Sequence, residues 1–438
     1  MRICLQALGC RLNQAEIELI GREAAMRGHE VVSTPADAEW TIINTCTVTH
    51  VAARKSRQAI RQLYRANPAG RIAVIGCYGE TNRCQVQALA GVALVVSNLR
   101  KDDVLDLIAA GPITGNVADR LARERAALAH LPCERTRAFL KVQDGCENAC
   151  AYCIVTAARG PARSVPPGTV LAQAQQRRGE GANEIVLSGV NIGSYGRDRG
   201  PTKVVPSEEG WTLARLVSAI LDGCDVPRLR LSSVEPWDVT PELLSLWRDP
   251  RMCRQLHLPL QSGCEATLAR MARRMSAAEY ATLVSKARDE IPGLAITADV
   301  MVGFPGETDA EFAESVAFVQ AQAFSRLHVF RFSARPGTPA ATMPGQVPPQ
   351  VAAARSQRMA AVGRSLARNF HESLVGQEVD VLFESLDDKA RAEGTPIWEG
   401  LTDTYVRVRV AATGDLTNTL RRVRLTAADA YGAWGQLA

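Results

Sequence analysis

Short apolar runs alternate with helix-like stretches along the first ~130 residues of this 438-residue chain. Runs of this kind, bounded by polar residues and turn formers, predict buried strands. The predicted strands are 2–8, 40–44 and 71–76, and helical patterns over 13–26 and 50–66 follow the first two. Because alternating strands and helices form parallel sheets, the pattern predicts an open parallel α/β domain over residues 1–132.

The same alternation restarts near residue 137 and becomes more regular. Strands are predicted at 138–143, 184–189, 228–233, 255–260, 295–303 and 326–332, with helical stretches such as 241–247 and 309–322 between them. A closed barrel of such units has eight strands, so six units predict an open, partial (β/α)6 barrel over residues 133–368. The chemistry of such barrels lies at the carboxyl ends of the strands.

The remaining region, 369–438, alternates β-branched and polar residues instead. Strands at 378–384, 405–410 and 419–425, separated by Gly- and Asp-rich turns, predict a small β-barrel domain. In the second and third of these strands the arginines lie on the face opposite the valines. That face is either solvated or in contact with RNA phosphates, and the pattern favours neither alternative.

Composition narrows the class of protein without identifying it. The chain is 46% hydrophobic and 22% charged, which is ordinary for a globular protein. The sequence contains no apolar segment of signal-peptide or membrane-spanning length, which predicts a cytoplasmic protein without a membrane partner. A net charge of +5 permits a nucleic-acid partner but does not require one. Twelve cysteines in such a chain indicate reduced, metal-binding thiols rather than disulfides.

Three of these cysteines, Cys146, Cys150 and Cys153, lie close together just beyond the first strand of the predicted barrel. A [4Fe–4S] cluster normally takes four thiolates, so three without a fourth would leave one iron open to a substrate or cofactor. A structural zinc site is the alternative, but zinc usually takes four ligands in two pairs. No second pair follows, and the nearest histidines, His130 and His257, lie outside the motif. The spacing therefore favours a reactive iron–sulfur cluster.

A second cysteine trio is placed by the predicted strands. Cys10 and Cys46 each follow a strand by two residues, and Cys77 follows the third strand directly. Because ligands of open α/β sheets bind outside the carboxyl ends of the strands, these three thiols should converge. A single buried cysteine often only fills space, but three at strand ends favour a second three-cysteine cluster. The other six are interpreted as packing residues: Cys4, Cys84, Cys133, Cys224, Cys253 and Cys264.

Motifs around both trios resemble those of the radical S-adenosylmethionine methylthiotransferases. CENACAYC, with Tyr152 before its last cysteine, resembles the cluster motif of radical S-adenosylmethionine enzymes. GCRLNQAEIE, NTCTVTHVAARKSRQAIR and IGCYGE resemble the N-terminal domain of the methylthiotransferases. LSGVNIGSYG, LSSVEP, HLPLQSG, DVMVGFPGET and FSARPGTPAATM resemble their radical domain. The C-terminal barrel resembles TRAM, an RNA-binding module, so the likeness covers the whole chain.

The resemblance implies a [4Fe–4S] cluster on each trio, with catalysis at Cys146, Cys150 and Cys153. It implies S-adenosylmethionine as the cofactor, bound at the open iron and by residues of the matching motifs, which are Tyr152, Ser188, Gly189 and Glu235. The implied partners are a tRNA anticodon loop, a flavodoxin- or ferredoxin-type reducing system and a sulfur donor.

Residues after Cys46 resemble one branch of this family. Thr47-Val48-Thr49, the run RKSR at 54–57 and the pair Asn13-Gln14 are similar to the branch that converts N6-threonylcarbamoyladenosine at tRNA position 37 to its 2-methylthio derivative. The alternatives are the branches acting on isopentenyladenosine in tRNA or on a ribosomal protein and, remotely, a non-catalytic zinc- and RNA-binding protein. The chain departs from the usual motifs at 79–80, at 156–157 and at Cys264, but at no cluster cysteine.

Basic residues recur at helical spacing along the predicted helix 50–66, namely Arg54, Lys55, Arg57, Arg61 and Arg65. A solvated helix face is the default interpretation of such spacing. Contact with the phosphates of an anticodon loop is the alternative.

Overall fold

The computed structural model describes residues 1–109, 136–199, 210–392 and 394–438. Cys133 and the predicted boundary at residue 132 lie outside these ranges. Among the helices of the described ranges, none combines the length and the apolar character needed to cross a bilayer.

The N-terminal sheet is parallel throughout, in the order β2-β1-β3-β4-β5. Its strands are β1 (Arg2–Ala7), β2 (Glu30–Val32), β3 (Trp40–Thr45), β4 (Arg71–Gly76) and β5 (Val92–Val95). Its helices are α1 (Arg11–Met26), α2 (His50–Ala66), α3 (Cys77–Thr81), α4 (Arg83–Gln87) and α5 (Val104–Ile108). Ile42 and Ile75 face one apolar cluster while Ile43 and Val74 face another, so both faces of the sheet are buried. The predicted open α/β domain is confirmed, and the short edge strands β2 and β5 are additions to it.

The central strands form two parallel three-stranded sheets, β6-β9-β10 and β11-β12-β13. A parallel bridge between Ser233 and His257 joins them into one curved strip. The strands are β6 (Arg137–Lys141), β9 (Glu184–Ser188), β10 (Arg228–Leu231), β11 (Gln255–His257), β12 (Ala295–Val302) and β13 (Arg326–Arg331), with β7 (Gln143–Asp144) and β8 (Arg163–Ser164) pairing separately. The six strands follow one another in chain order, as the partial barrel predicts.

Helices cover the outside of this strip and bury its apolar side chains in one core. They are α7 (Pro167–Gly179), α8 (Leu213–Gly223), α9 (Pro241–Ser245), α11 (Ala277–Glu290), α12 (Asp309–Ala321) and α13 (Pro349–Glu372). Two short helices contribute no residue to this core: α6 (Val155–Arg159), which contacts α3 of the N-terminal domain, and α10 (Glu265–Arg270). Helix α13 packs on β13 and also contacts the C-terminal barrel at 420–429. Residue 368, the predicted end of the central domain, lies in its last turns.

The C-terminal strands close into a barrel in the order β14-β15-β16-β18-β17. They are β14 (Glu378–Ala392), β15 (Thr395–Thr402), β16 (Arg407–Ala411), β17 (Leu420–Asp429) and β18 (Gly432–Leu437). Alternate apolar residues fill the interior, among them Val381, Phe383, Val408, Val410 and Val423. The predicted β-barrel is confirmed, although β15 and β18 were not anticipated from the sequence.

Candidate active site

The first cysteine trio lies at the carboxyl edge of the N-terminal sheet. Cys10 is the N-cap residue of α1, Cys46 directly follows β3, and Cys77 is the first residue of α3. Gly9 has a φ of +98°, and a Cβ at this position would lie 2.8 Å from the Cys46 Sγ. Both other thiols are near enough to Cys46 to influence its ionisation. The structure therefore brings the three predicted side chains together.

Burial and one guanidinium control the ionisation of this trio. Burial raises the pKa of Cys46 to about 11 and also raises the pKa of Cys77, while Arg159 lowers both to a smaller extent. Asn13 Oδ1 accepts hydrogen bonds from Arg159 Nη2, at 2.6 Å, and from the Cys10 thiol, at 3.6 Å. Because iron binds thiolates, metal loading at these cysteines must release protons, and a nearby guanidinium stabilises the resulting negative charge.

A buried charge network joins this trio to the central domain. Glu16 on α1 and Asp144 on β7 accept hydrogen bonds from Arg159, at 2.9 and 2.8 Å. Lys101 and Lys141 also contact both carboxylates. Burial alone would raise the pKa of each carboxyl, but the three cations outweigh burial and hold both pKa values below their ordinary range. The network thus stays ionised and fixes α1 against β7 and α6.

The second trio lies on the loop between β7 and α6. The Cys146 N–H donates to the Gly160 carbonyl, at 3.1 Å, and the Cys153 N–H donates to the Cys150 carbonyl, at 3.0 Å. The Asn148 N–H donates to the Cys146 Sγ, at 3.4 Å. These backbone bonds hold the loop so that all three thiols line one small cavity.

Arg273 lies beside this second trio. Its Nη1 is 3.7 Å from the Cys150 Sγ and its Nη2 is 2.7 Å from the Glu235 Oε2, while its guanidinium stacks on Trp237 at 4.5 Å. Burial raises the pKa of Cys153 to about 12, so this thiol keeps its proton until a metal displaces it. A guanidinium held by a carboxylate and an indole is a fixed donor to sulfur, a feature that tunes iron–sulfur clusters.

Both trios fit a [4Fe–4S] cluster bound by three thiolates. The six cysteines are all free of disulfides, and each trio has a guanidinium at its side, Arg159 in the first case and Arg273 in the second. Within the described ranges, no three His, Cys, Asp or Glu side chains converge tightly enough to share a single metal ion. The assignment of the six cysteines to clusters stays a prediction.

The small cavity at the second trio has a volume of about 200 Å³. Its wall includes Tyr152 and Glu235, two of the predicted cofactor-binding residues, together with the three cysteines of the loop. The other two, Ser188 and Gly189, lie at the end of β9 and line the larger cavity next to it. Tyr152 and Cys153 line both cavities, so the four predicted cofactor contacts lie around two adjoining spaces, and their role stays a prediction.

The larger cavity has a volume of about 740 Å³ and receives side chains from all three parts of the chain. Cys10 and Arg11 line it from the N-terminal domain, Cys153 from the second trio, and Tyr405 from the C-terminal barrel. A space of this size is typical of a small-molecule or nucleoside site. One cysteine of each trio therefore faces the same cavity.

Two histidines and an aspartate form a polar group in the wall of this cavity. His257 Nδ1 is 2.9 Å from the Thr297 Oγ1, and its Nε2 is 3.4 Å from the Asp299 Oδ1. The ring of His328 packs edge-on against His257, with centroids 5.6 Å apart. Desolvation in the cavity wall lowers the pKa of His328 to about 4, although its ring is still open to solvent on one side, so the ring is neutral at neutral pH, with one nitrogen that donates a hydrogen bond and one that accepts.

Sequence reasoning missed Arg159, Arg273 and Tyr405. Arg159 follows the cysteine loop closely, which is a usable signal, whereas the other two reach the site through tertiary packing. Of the cysteines interpreted as packing residues, Cys4, Cys224, Cys253 and Cys264 are buried. The interpretation is wrong for Cys84, which is exposed because its helix α4 lies at the surface near the sheet edge.

Comparison with known proteins adds independent findings. Residues 2–97 match the family described as "Uncharacterized protein family UPF0004", and residues 140–319 match the radical SAM superfamily. The chain is 36% identical to the threonylcarbamoyladenosine tRNA methylthiotransferase MtaB of Bacillus subtilis (strain 168), over 97% of this chain and 93% of that protein. It is 34% identical to the ribosomal protein uS12 methylthiotransferase RimO of Desulforudis audaxviator, over 98% and 95% of the two chains.

Among solved structures, the radical S-adenosylmethionine methyltransferase TsrM from Kitasatospora setae, with cobalamin and a [4Fe–4S] cluster bound, is similar in fold. The TM-score is 0.54 at 14% identity, covering 78% of this chain and 77% of that one. This likeness concerns the fold alone.

Proposed function

The chain belongs to the radical S-adenosylmethionine methylthiotransferase family, and from this premise we propose that it modifies N6-threonylcarbamoyladenosine at position 37 of tRNA to the 2-methylthio derivative. The protein is therefore an enzyme that uses S-adenosylmethionine and [4Fe–4S] clusters. Its placement in the cytoplasm follows from this substrate and belongs to the proposal.

In this proposal the six cysteines hold the two clusters, Cys146, Cys150 and Cys153 the radical cluster and Cys10, Cys46 and Cys77 the auxiliary one. When bound, these groups and S-adenosylmethionine supply hydrogen abstraction from C2 of the adenine, the sulfur atom and the methyl group. With three protein ligands, each cluster would have one iron that no protein side chain binds. Electrons and replacement sulfur come from a flavodoxin- or ferredoxin-type reducing system and a sulfur donor.

The single observation that carries the proposal is the 740 Å³ cavity between the two trios. Because Cys10 and Cys153 both line it, a base bound there is within reach of both sets of thiols without leaving the site. Entry requires the base to leave its stack, at a cost of about a few kcal/mol. A single-stranded anticodon loop keeps that cost low, since its bases are readily splayed out.

The turn after β9, which borders this cavity at Ser188 and Gly189, is held in place by Gln143. Gln143 Oε1 accepts hydrogen bonds from the N–H groups of Val190 and Asn191, at 3.1 and 2.9 Å, and so fixes the turn after β9. A Cβ on Gly189 would lie 2.9 Å from the Gln143 carbonyl, so any larger residue would displace this turn. We infer that Ser188 and Gly189 present their backbone to the cofactor, while Tyr152 and Glu235 contact it from the opposite wall.

Exposed cations without ion-pair partners favour α2 as the surface that contacts tRNA phosphates. Exposed cations along it, which are Arg54, Lys55, Arg61 and Arg65, have no ion pair within the part of the chain that the structure describes. By contrast, most arginines of the C-terminal barrel are paired, for example Arg409 with Glu399 at 2.8 Å and Arg424 with Glu378 at 2.6 Å, and within the described residues Arg421 is the exception. Unpaired cations attract phosphates more strongly than paired ones, because their charge is not already compensated.

Nucleoside mass spectrometry of tRNA from a strain lacking the gene tests the proposed function. The 2-methylthio derivative of threonylcarbamoyladenosine should disappear, return with the wild-type gene, and stay absent with the Cys150→Ala variant. Persistence of the derivative at the wild-type level, in a strain with no second enzyme of this kind, would refute the assignment. A missing methylthio group on a ribosomal protein, with tRNA unchanged, would favour the ribosomal-protein branch instead.

A further inference from the structure

More cationic than acidic side chains line the large cavity. Arg11, Arg326 and Arg331 line it, and the acid that lines it is Asp299. Asp299 is already engaged with His257. The cavity therefore carries an excess of positive charge, and because Arg326 and Arg331 are exposed to solvent whereas Arg11 is half-buried, the charge of Arg11 gains most from an anionic ligand.

Tyr405 enters this cavity from a turn whose conformation is costly. Its φ is +68°, in the left-handed region that non-glycine residues rarely adopt. The turn is nevertheless held on the central domain by arginines that bond its carbonyls. Arg228 Nη1 donates to Leu401 at 2.8 Å, and Arg230 donates to Asp403 at 2.9 Å and to Thr402 at 3.1 Å. Strained residues of this kind persist where the surroundings over-determine them, as they do in ligand clamps.

The Tyr405 phenol oxygen accepts hydrogen bonds from Arg11 Nη2 and from Arg137 Nη1, the latter at 3.2 Å. Its own O–H has no acceptor within the described residues. Two of the three guanidiniums around the ring are matched by carboxylates: Arg137 by Glu384 and Arg230 by Glu184. Arg11 has no carboxylate partner in the described part of the chain, although its side chain is half-buried.

We propose that Arg11 and Tyr405 together bind an anionic oxygen group of the ligand, namely the carboxylate on the N6 substituent of the target adenosine. This inference rests on the proposed function and deepens it, because it says how the enzyme selects its substrate. Arg11 supplies the charge and a guanidinium N–H, and Tyr405 supplies its unused O–H. A carboxylate accepts both, whereas an isopentenyl group accepts neither.

A phosphodiester of the RNA has similar chemistry, so the test must distinguish the two anions. Three anticodon stem-loops serve this purpose, with position 37 carrying threonylcarbamoyladenosine, the methyl ester of the same nucleoside, or adenosine. The ester removes the carboxylate charge and leaves every phosphate in place. Affinity is measured by fluorescence anisotropy with anaerobically purified, cluster-loaded enzyme and without S-adenosylmethionine, which excludes the carboxylate of the cofactor.

The wild-type enzyme should bind the acid about ten- to a hundredfold more tightly than the ester, the range expected for a charged hydrogen-bonded contact. Arg11→Gln should bring the two affinities within about threefold of each other and leave ester binding unchanged. Arg11→Lys should keep part of the preference, and Tyr405→Phe should reduce it by about three- to tenfold. Arg422→Gln, on the barrel surface beside Asp380, is the matched control and should keep the full preference.

Equal binding of acid and ester by the wild-type enzyme would overturn the proposal. So would an Arg11→Gln variant that loses affinity for acid and ester to the same extent, since that result assigns Arg11 to a phosphate or to folding. If the wild-type enzyme methylthiolates the acid stem-loop but binds acid and ester equally, only this inference fails. If it neither binds nor methylthiolates any of the stem-loops, the proposed function fails with it.

Discussion

Replacing Glu16 with glutamine removes one negative charge from the buried network between α1, β7 and α6. The side chain is almost fully buried, and its oxygens contact Arg159 at 2.9 Å, Lys141 at 3.2 Å and Lys101. Glutamine preserves the shape and the hydrogen bond from Asn44, which is 2.8 Å from Glu16 Oε2. The substitution therefore tests charge rather than packing.

The expected loss of stability follows from the charge balance. Lys101, Lys141 and Arg159 contact both carboxylates. The more exposed Arg163 lies 3.6 Å from Asp144, so Glu16→Gln leaves four cations around one carboxylate. Removing one partner from a buried ion pair costs about 3–5 kcal/mol, since the remaining charges are left uncompensated. At about 2–4 °C per kcal/mol, the midpoint of the transition that unfolds this part of the protein should fall by about 6–20 °C.

Thermal unfolding of the anaerobic protein, followed by circular dichroism, measures this shift. Glu39→Gln is the matched control, because Glu39 is in the same domain and forms an exposed pair with Arg2 at 3.8 Å. An exposed pair contributes about 0–1 kcal/mol, so the control should shift the midpoint by at most a few degrees. Equal shifts for the two variants would refute a stabilising role for the network.

The stability difference between the wild type and Glu16→Gln should also depend on pH. The folded-state pKa of Glu16 lies below its ordinary value because the surrounding cations outweigh burial. Its contribution to stability is therefore complete above the unfolded-state pKa, near 4.3, and is lost as pH falls through the folded-state value. The difference between wild type and Glu16→Gln should be constant at neutral pH and shrink below about pH 4. A difference that grows on acidification would contradict the reasoning.

Three further outcomes are expected. Cys150→Ala should abolish reductive cleavage of S-adenosylmethionine and lower iron per chain to about half, and 5′-deoxyadenosine formation at the wild-type rate would contradict its role. Cys46→Ala should also lose about half the iron but keep this cleavage while forming no methylthiolated nucleoside, so loss of both activities would argue against separate clusters. Arg61→Gln on α2 should weaken tRNA binding and lower its salt slope by about 1, whereas Arg424→Gln on the barrel should change neither, and the reverse result would move the RNA contact to the barrel.

The cysteine trios could be located from the sequence because their positions depend on local patterns. Strand periodicity places Cys10, Cys46 and Cys77 after β1, β3 and β4, which are neighbours in the sheet, and parallel topology then brings those strand ends to one edge. The strands that the sequence did not reveal have weak local patterns. Strand β15 contains Pro396 and Gly400, and β18 contains glycine at two positions, so neither has the composition of a typical strand. Their pairing is determined by closure of the barrel, which is not a local property.

The cations beside the clusters could not be assigned from sequence for a related reason. Arg273 reaches Cys150 across 123 residues, and Lys101 reaches Asp144 across 43. An isolated arginine or lysine has no periodic pattern that distinguishes it from a surface residue, since its function depends on which carboxylate or thiol the fold places nearby. The motif resemblance identified the cysteines but contained no information about their charge environment in this chain.

For the C-terminal barrel, the sequence predicted the fold but not which residue the barrel contributes to the site. The alternating arginines left open whether the strand face is solvated or contacts RNA, and in the structure Arg409 and Arg424 on that face are paired with glutamates. The barrel instead contributes to the cavity through the turn before β16, which arginines of the central domain hold in place and which carries Tyr405. The turn that carries Tyr405 is rigid, because the flanking strands β15 and β16 and the hydrogen-bonded carbonyls restrain its backbone. Selection of the nucleoside and attachment of the barrel are therefore coupled, so a substitution that loosens the turn, such as Arg230→Met, should reduce discrimination between substrates before it reduces binding of RNA.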